Sequence, residues 1–263
     1  METVKSADGT AIAYDKVGQG PVLIVCVGAF CTRYTFAAPA ELTQRFTVVT
    51  YDRRGRGDSG DAELFTPARE YEDLAAVAAA AGGGEPPFVF GHSSGAAIAL
   101  RAVAAGLPVA GLVAYEAPFQ NDDVPALDVD PADHIRELVS AGRNREAVLF
   151  WMADVVRMPA QAVAALNEAP WVTGLEPLAR TLPYDLALTG GGMPTDELAQ
   201  IDAPVLVMGG NNSPAWFRRS VAEQAAAVPG AQLKMLDGFD HNIPPEVVAP
   251  VLIDFFTASY GVR

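Results

Sequence analysis

The sequence predicts an α/β protein with a mostly parallel central sheet and helices on both faces, interrupted once by a long helical stretch. Three observations carry that expectation. Short continuous apolar runs recur along the chain and alternate with longer segments of helical composition, the pattern of strands buried on both sides of a parallel sheet. Glycine and proline breaks fall between the runs, as at Gly82-Gly83-Gly84 and Pro86-Pro87. The 263 residues, 50% hydrophobic and 19% charged, are enough for one full core.

Taken in order, Asp8-Gly9 between Val4-Lys5-Ser6 and Ile12-Ala13-Tyr14 signals an amino-terminal hairpin. Buried strands are predicted at 22–27, 47–51, 88–90, 111–115, 205–208 and 232–236. Helices are predicted at 37–45, 68–81, 94–105, 215–227 and 245–259. From 119 to 194 no strand pattern occurs, and helix-like segments are punctuated by Pro125, Pro131, Pro159, Pro170, Pro177 and Pro183.

Charge narrows the partners. With 32 acidic and 18 basic residues the net charge is −14, so no basic patch is expected to bind nucleic acid or an anionic membrane surface. The first residues, Met1-Glu2-Thr3-Val4-Lys5, lack the apolar stretch of a secretory leader. The longest apolar run, 21–30, is about half of what a bilayer crossing needs. Cys26 and Cys31 show no metal-ligand spacing, and the expected setting is a reduced cytoplasm. Asp122, Asp123, Asp128, Asp130 and Asp133 read as a solvated surface, since their spacing lacks the Gly and Glu of a calcium loop.

Chemistry concentrates at Gly91-His92-Ser93-Ser94-Gly95, which follows the apolar run Pro87-Phe88-Val89-Phe90 and opens the helix 94–105. G-x-S-x-G at a strand-to-helix junction is a nucleophile elbow, a sharp turn that holds the central hydroxyl above the sheet. Ser93 is the candidate nucleophile, and the backbone N–H of Ser94 a candidate oxyanion donor. The chain has three histidines. His92 adjoins the nucleophile and reads as a packed residue behind the elbow, and His134 lies in a polar stretch and reads as a solvated helix residue. His241 sits in the turn-rich loop Leu236-Asp237-Gly238-Phe239-Asp240-His241-Asn242 near the carboxyl end, where the order Ser, acid, His places a general base.

These motifs resemble those of the α/β-hydrolase family, and the likeness runs over most of the chain. Tyr51-Asp52-Arg53-Arg54-Gly55-Arg56-Gly57-Asp58-Ser59 is similar to the family's D-x-R-G-x-G-x-S turn, and Ile24-Val25-Cys26-Val27-Gly28-Ala29-Phe30 to its third strand and oxyanion loop. Val27 stands where histidine is common. The resemblance implies Ala29 as the second oxyanion donor and residues 119–194 as a helical cap on a core of 1–118 and 195–263. The stretch 119–194 carries Phe150, Trp151, Met152, Met158, Trp171 and Met193. Phe30, Trp151, Trp171 and Trp216 are the expected pocket-lining residues, which implies a largely apolar ligand.

The family usually places its acid just past the seventh strand, but the loop Gly209-Gly210-Asn211-Asn212-Ser213-Pro214 holds no carboxylate, and Asn212 occupies the expected position. The strongest replacement is Glu116, at the carboxyl end of the strand 111–115. Its alternative role is to anchor the start of the cap or to pair with an arginine such as Arg33. Asp240 and Asp196 are weaker candidates. The expected activity is that of a serine hydrolase acting on a small ester, thioester or lactone, without metal or organic cofactor, as a monomer or homodimer. Two other readings stay open: C–C cleavage or a lyase or cyclase step at the same site, and a catalytically idle ligand-binding member.

Overall fold

In the computed structural model, which describes residues 1–120 and 127–260, the chain opens with β1 (Glu2–Lys5) and β2 (Ala11–Gly18), an antiparallel pair joined through Asp8-Gly9. Then follow β3 (Val22–Cys26), α1 (Ala40–Thr43), β4 (Thr47–Tyr51), α2 (Pro67–Ala81), β5 (Phe88–His92), α3 (Ser94–Ala104) and β6 (Gly111–Tyr115). Among the described residues only helices lead from β6 to the next strand. They are α4 (Pro131–Ser140), α5 (Asn144–Phe150), a π-helical turn (Trp151–Val155), α6 (Ala160–Glu168), two 3-10 turns (Pro170–Gly174 and Glu176–Thr181), α7 (Leu182–Thr189) and α8 (Thr195–Leu198). The chain then runs through β7 (Val205–Gly210), α9 (Ala215–Ala227), β8 (Gln232–Leu236) and α10 (Pro245–Tyr260). Asp122, Asp123 and Pro125 lie outside the described residues.

The eight strands form one sheet in the order β1-β2-β4-β3-β5-β6-β7-β8, antiparallel up to β4 and parallel from there on. The mostly parallel sheet expected from the sequence is therefore present. Both faces are covered, which is why the strands are continuously apolar rather than alternating with polar residues. Ile24, Val89, Leu112, Ala114 and Val207 pack toward α2, α3 and α9, while Leu23, Phe88, Phe90, Val113 and Met208 pack toward α1 and α10. This two-residue period follows from the pleat.

Boundaries moved where pairing or proline ruled. β5 continues to His92 because His92 pairs with Tyr115, and β7 continues to Gly210 because Gly210 pairs with Leu236. The predicted helix 37–45 shrinks to α1 because Pro39 holds an extended backbone (ψ 151°) and starts the helix late. The register also sets up the chemistry. Cys26 pairs with Gly91, His92 with Tyr115 and Tyr115 with Met208, so the carboxyl ends of β3, β5, β6 and β7 stand side by side. Ligand crevices of open α/β sheets form at this end.

Candidate active site

Ser93 links β5 to α3 at φ 58° and ψ −131°. Its N–H donates to the Tyr115 carbonyl (2.9 Å) and its own carbonyl accepts from Ala96 N–H (2.8 Å), so the turn is held from both strand and helix. The tightness needs glycine nearby: a Cβ on Gly95 would lie 2.1 Å from the Cys26 carbonyl oxygen. Only four described non-glycine residues have positive φ: Phe30, Ser93, Glu116 and Arg157. The first three lie in the segment similar to the oxyanion loop, at the candidate nucleophile and at the candidate acid. Strain of about 1–3 kcal/mol per residue persists only where surrounding contacts over-determine it, and it clusters at functional sites.

Glu116 has no exposed side-chain surface, and its two oxygens divide the work. Oε2 accepts from His241 Nδ1 at 2.8 Å. Oε1 accepts from Gly210 N–H (2.8 Å) and from the Ser213 hydroxyl (2.6 Å). Burial works to raise the Glu116 pKa, but the bonds from His241, Ser213 and Gly210 outweigh it, and the pKa is lowered. The carboxyl is therefore an anion at neutral pH. The loop after β7 thus holds the Glu116 carboxylate through Gly210 and Ser213, and Asn212 is exposed. Arg33 pairs with Asp15 (2.7 Å), Asp58 (2.6 Å) and Asp52, not with Glu116. Asp196 is exposed on α8, and Asp240 faces its own loop, accepting from Asn242 N–H at 2.9 Å.

The His241 loop is tied down by two carbonyl bonds. His92 Nε2 donates to the His241 carbonyl oxygen (2.9 Å), and the Tyr115 hydroxyl donates to that of Asp240 (2.5 Å). The His92 and His241 rings lie 4.9 Å apart. No direct hydrogen bond joins Ser93 Oγ to His241 among the described residues, and such bonds commonly tighten only with substrate in place. Burial, reinforced by the neighbouring His241, pushes the His92 pKa down to about 4. An unfolded chain binds this proton near pH 6.5 and the folded one does not, so stability falls as pH drops from about 6.5 toward 4, by about 1.4 kcal/mol per unit. His92→Asn should lose this slope relative to the parent in urea titrations across that range. Equal slopes would show that His92 titrates normally when folded.

Ala29 and Ser94, the candidate oxyanion donors, flank Ser93. Ala29 N–H has no acceptor among the described residues, and Ser94 N–H belongs to the first turn of α3, where no intrahelical acceptor exists. Phe30 meets Trp151 edge-on at 6.3 Å, and both join the cluster formed by Ile135, Leu138, Val148, Val172 and Leu182. Trp171 is 63% exposed, while its neighbour Val172 in the same 3-10 turn is buried. Trp216 lies tilted against Phe217 with ring centroids 4.3 Å apart, and the Phe217 ring lies 5.0 Å from that of His241. His134 is half-buried against Phe150 rather than solvated. A separate groove of about 730 Å³, lined by Ala110, Pro204, Gln232 and Phe255, sits at the amino ends of β6 to β8, away from this chemistry.

Comparison with known proteins agrees with this fold. A profile of the Alpha/beta hydrolase family matches residues 23–249. The chain is an alpha/beta hydrolase. It is 27% identical over 259 residues to the 2-(acetamidomethylene)succinate hydrolase of Mesorhizobium japonicum, covering 92% of this chain and 90% of that protein. It superposes with a TM-score of 0.90 on an alpha/beta hydrolase from Sphaerobacter thermophilus, 44% identical, covering 97% of this chain and 100% of the other. The enol-lactonase from Burkholderia xenovorans has the same fold at a TM-score of 0.73 and 21% identity, covering 97% and 100%.

Sequence reasoning about this alpha/beta hydrolase missed a buried charge network beneath the site. Arg53, Arg54, Arg56, Glu70, Asp73 and Asp185 are each no more than 1% exposed. The signal was present: three arginines just past β4 in an acidic chain either face solvent or need buried carboxylates, and those partners lie far along the chain. Among the described residues no cluster of three or more His, Cys, Asp or Glu fits a metal ion, and no helix is long and apolar enough to cross a membrane.

Proposed function

We propose that this alpha/beta hydrolase is a serine hydrolase that cleaves a small, largely apolar ester, thioester or lactone through Ser93, His241 and Glu116. The 2.8 Å bond between His241 Nδ1 and Glu116 Oε2 carries this reading. With Nδ1–H facing a carboxylate, Nε2 is left unprotonated and able to take the Ser93 proton. Ser93 Oγ then attacks the carbonyl carbon, and Ala29 and Ser94 N–H groups hold the resulting oxyanion, each worth about 2.7–4 kcal/mol. Protonation of the leaving group by His241 gives an acyl-enzyme, which water hydrolyses with His241 again as base. Glu116 stays ionised throughout.

The apolar substrate follows from the walls. Residues 119–194 act as a cap whose Trp151 packs on Phe30 of the oxyanion loop. The neighbouring guanidiniums of Arg53 and Arg56 are fully buried and paired with Glu70 and Asp185. The Mesorhizobium relative is a hydrolase, which supports hydrolysis as the reaction class. Incubation with a fluorophosphonate followed by peptide mapping tests the assignment. Label is expected on Ser93 together with turnover of p-nitrophenyl esters, and label confined to Ser94 would overturn it.

Trp151→Ala should open the wall and raise the ratio of kcat/KM for long over short acyl esters about tenfold. An unchanged ratio with a large fall in Tm would make Trp151 part of the packing alone.

A further inference from the structure

Asp185 projects from α7 and joins two structures that flank the nucleophile. Its Oδ1 accepts from the Ser94 hydroxyl (2.6 Å) and from Arg53 Nη1 (2.8 Å), and Oδ2 accepts from Arg56 Nη2 (2.7 Å). Arg53 also donates to Ser94 Oγ (3.1 Å), and its remaining nitrogens face Glu70. Arg56 uses Nη1 to donate to the Gly28 carbonyl oxygen (2.6 Å). Burial works to raise the Asp185 pKa, but Arg56, Arg53 and Ser94 outweigh it, so Asp185 is ionised.

We propose that Asp185 is a positioning residue for the oxyanion hole, orienting both donor peptides from the cap. The inference rests on the serine mechanism proposed above. A trans peptide is planar, so its C=O and N–H point in opposite directions. Arg56, by holding the Gly28 carbonyl, sets the direction of Ala29 N–H in the same peptide. That peptide lies against the nucleophile, since a Cβ on Gly28 would stand 3.0 Å from Ser93 Oγ. On the other side, the Ser94 hydroxyl anchors the first residue of α3, whose N–H is the second donor. Among the described residues Arg56 Nε is buried with no partner, so there only the bonds to Gly28 and Asp185 orient this guanidinium. Without Asp185 it swings, and the Gly28–Ala29 peptide loses its reference. Among the described residues the buried Arg56 guanidinium would then have no carboxylate partner, and Arg53 only Glu70. Cap position and transition-state stabilisation are therefore coupled through one side chain.

The test measures kcat, KM and the affinity of an alkyl trifluoromethyl ketone, which forms a tetrahedral adduct with a serine nucleophile, for three variants. Asp185→Asn should lower kcat about 100-fold with KM nearly unchanged, as loss of an oxyanion donor does. Ketone affinity should weaken by the same factor. Arg56→Lys, which has one donor nitrogen in place of two, and Ser94→Ala should each lose about tenfold in both quantities, and they carry the test if Asp185→Asn does not fold. Parent-like kcat and ketone affinity in the folded variants, with only Tm lowered, would make Asp185 a structural clamp and overturn the proposal. If Ser93→Ala keeps full turnover, the serine mechanism itself falls. An inactive Ser93→Ala beside parent-like Asp185→Asn, Arg56→Lys and Ser94→Ala removes only the positioning role.

Discussion

Replacing Ser93 with alanine is expected to lower kcat on an activated ester about 10⁶-fold, leaving only what binding and the oxyanion donors provide. The fold should survive, because the elbow is held by backbone bonds to Tyr115 and Ala96 and by close packing at Gly95, none of which uses the hydroxyl. His241→Ala should cost a similar factor, and the double variant little more than either single one, since nucleophile and base act as a unit. Steady-state rates and fluorophosphonate labelling check this together. Full activity in Ser93→Ala, or additive losses in the double variant, would move the nucleophile elsewhere.

Glu116→Gln is the second large effect, expected to lower kcat by about 10³–10⁴. A glutamine keeps the size and can still accept from Gly210 and Ser213 through one oxygen, so the loop after β7 should stay in place. It then presents an amide N–H₂ to His241 Nδ1. That favours the imidazole tautomer with its proton on Nε2, the wrong one for taking the proton from Ser93. KM and Tm should change far less than kcat. Adding Asn212→Asp to Glu116→Gln should restore nothing, because the Asn212 side chain faces solvent. Parent-like kcat in Glu116→Gln would show that His241 works without this carboxylate. Rescue by the added Asn212→Asp change would return the acid to the family's usual strand.

The parts of the site that could be read early are those determined locally. Ser93 stands out because an apolar strand, two close glycines and a helix start are contiguous, and their steric demands act within a few residues. Strands were legible for the same reason, since burial on both sheet faces leaves continuous apolar runs. Pairs distant in sequence behave differently. His241 and Glu116 are 125 positions apart, and Ser94 and Asp185 are 91 apart. Several carboxylates competed for His241, and composition does not rank them. The strand order β5-β6-β7 decides, because it sets the end of β6 against the loop after β7 and turns Asn212 out while Gly210 and Ser213 turn in. Trp171 and Val172 are neighbours in a short 3-10 turn, and which of them is buried depends on what packs over it. The chain's own pattern specified its class, its layers and the elbow that carries the proposed nucleophile. The Glu116–His241 pair and the buried arginine network exist only once the sheet register and the helices between β6 and β7 bring distant residues to hydrogen-bonding distance.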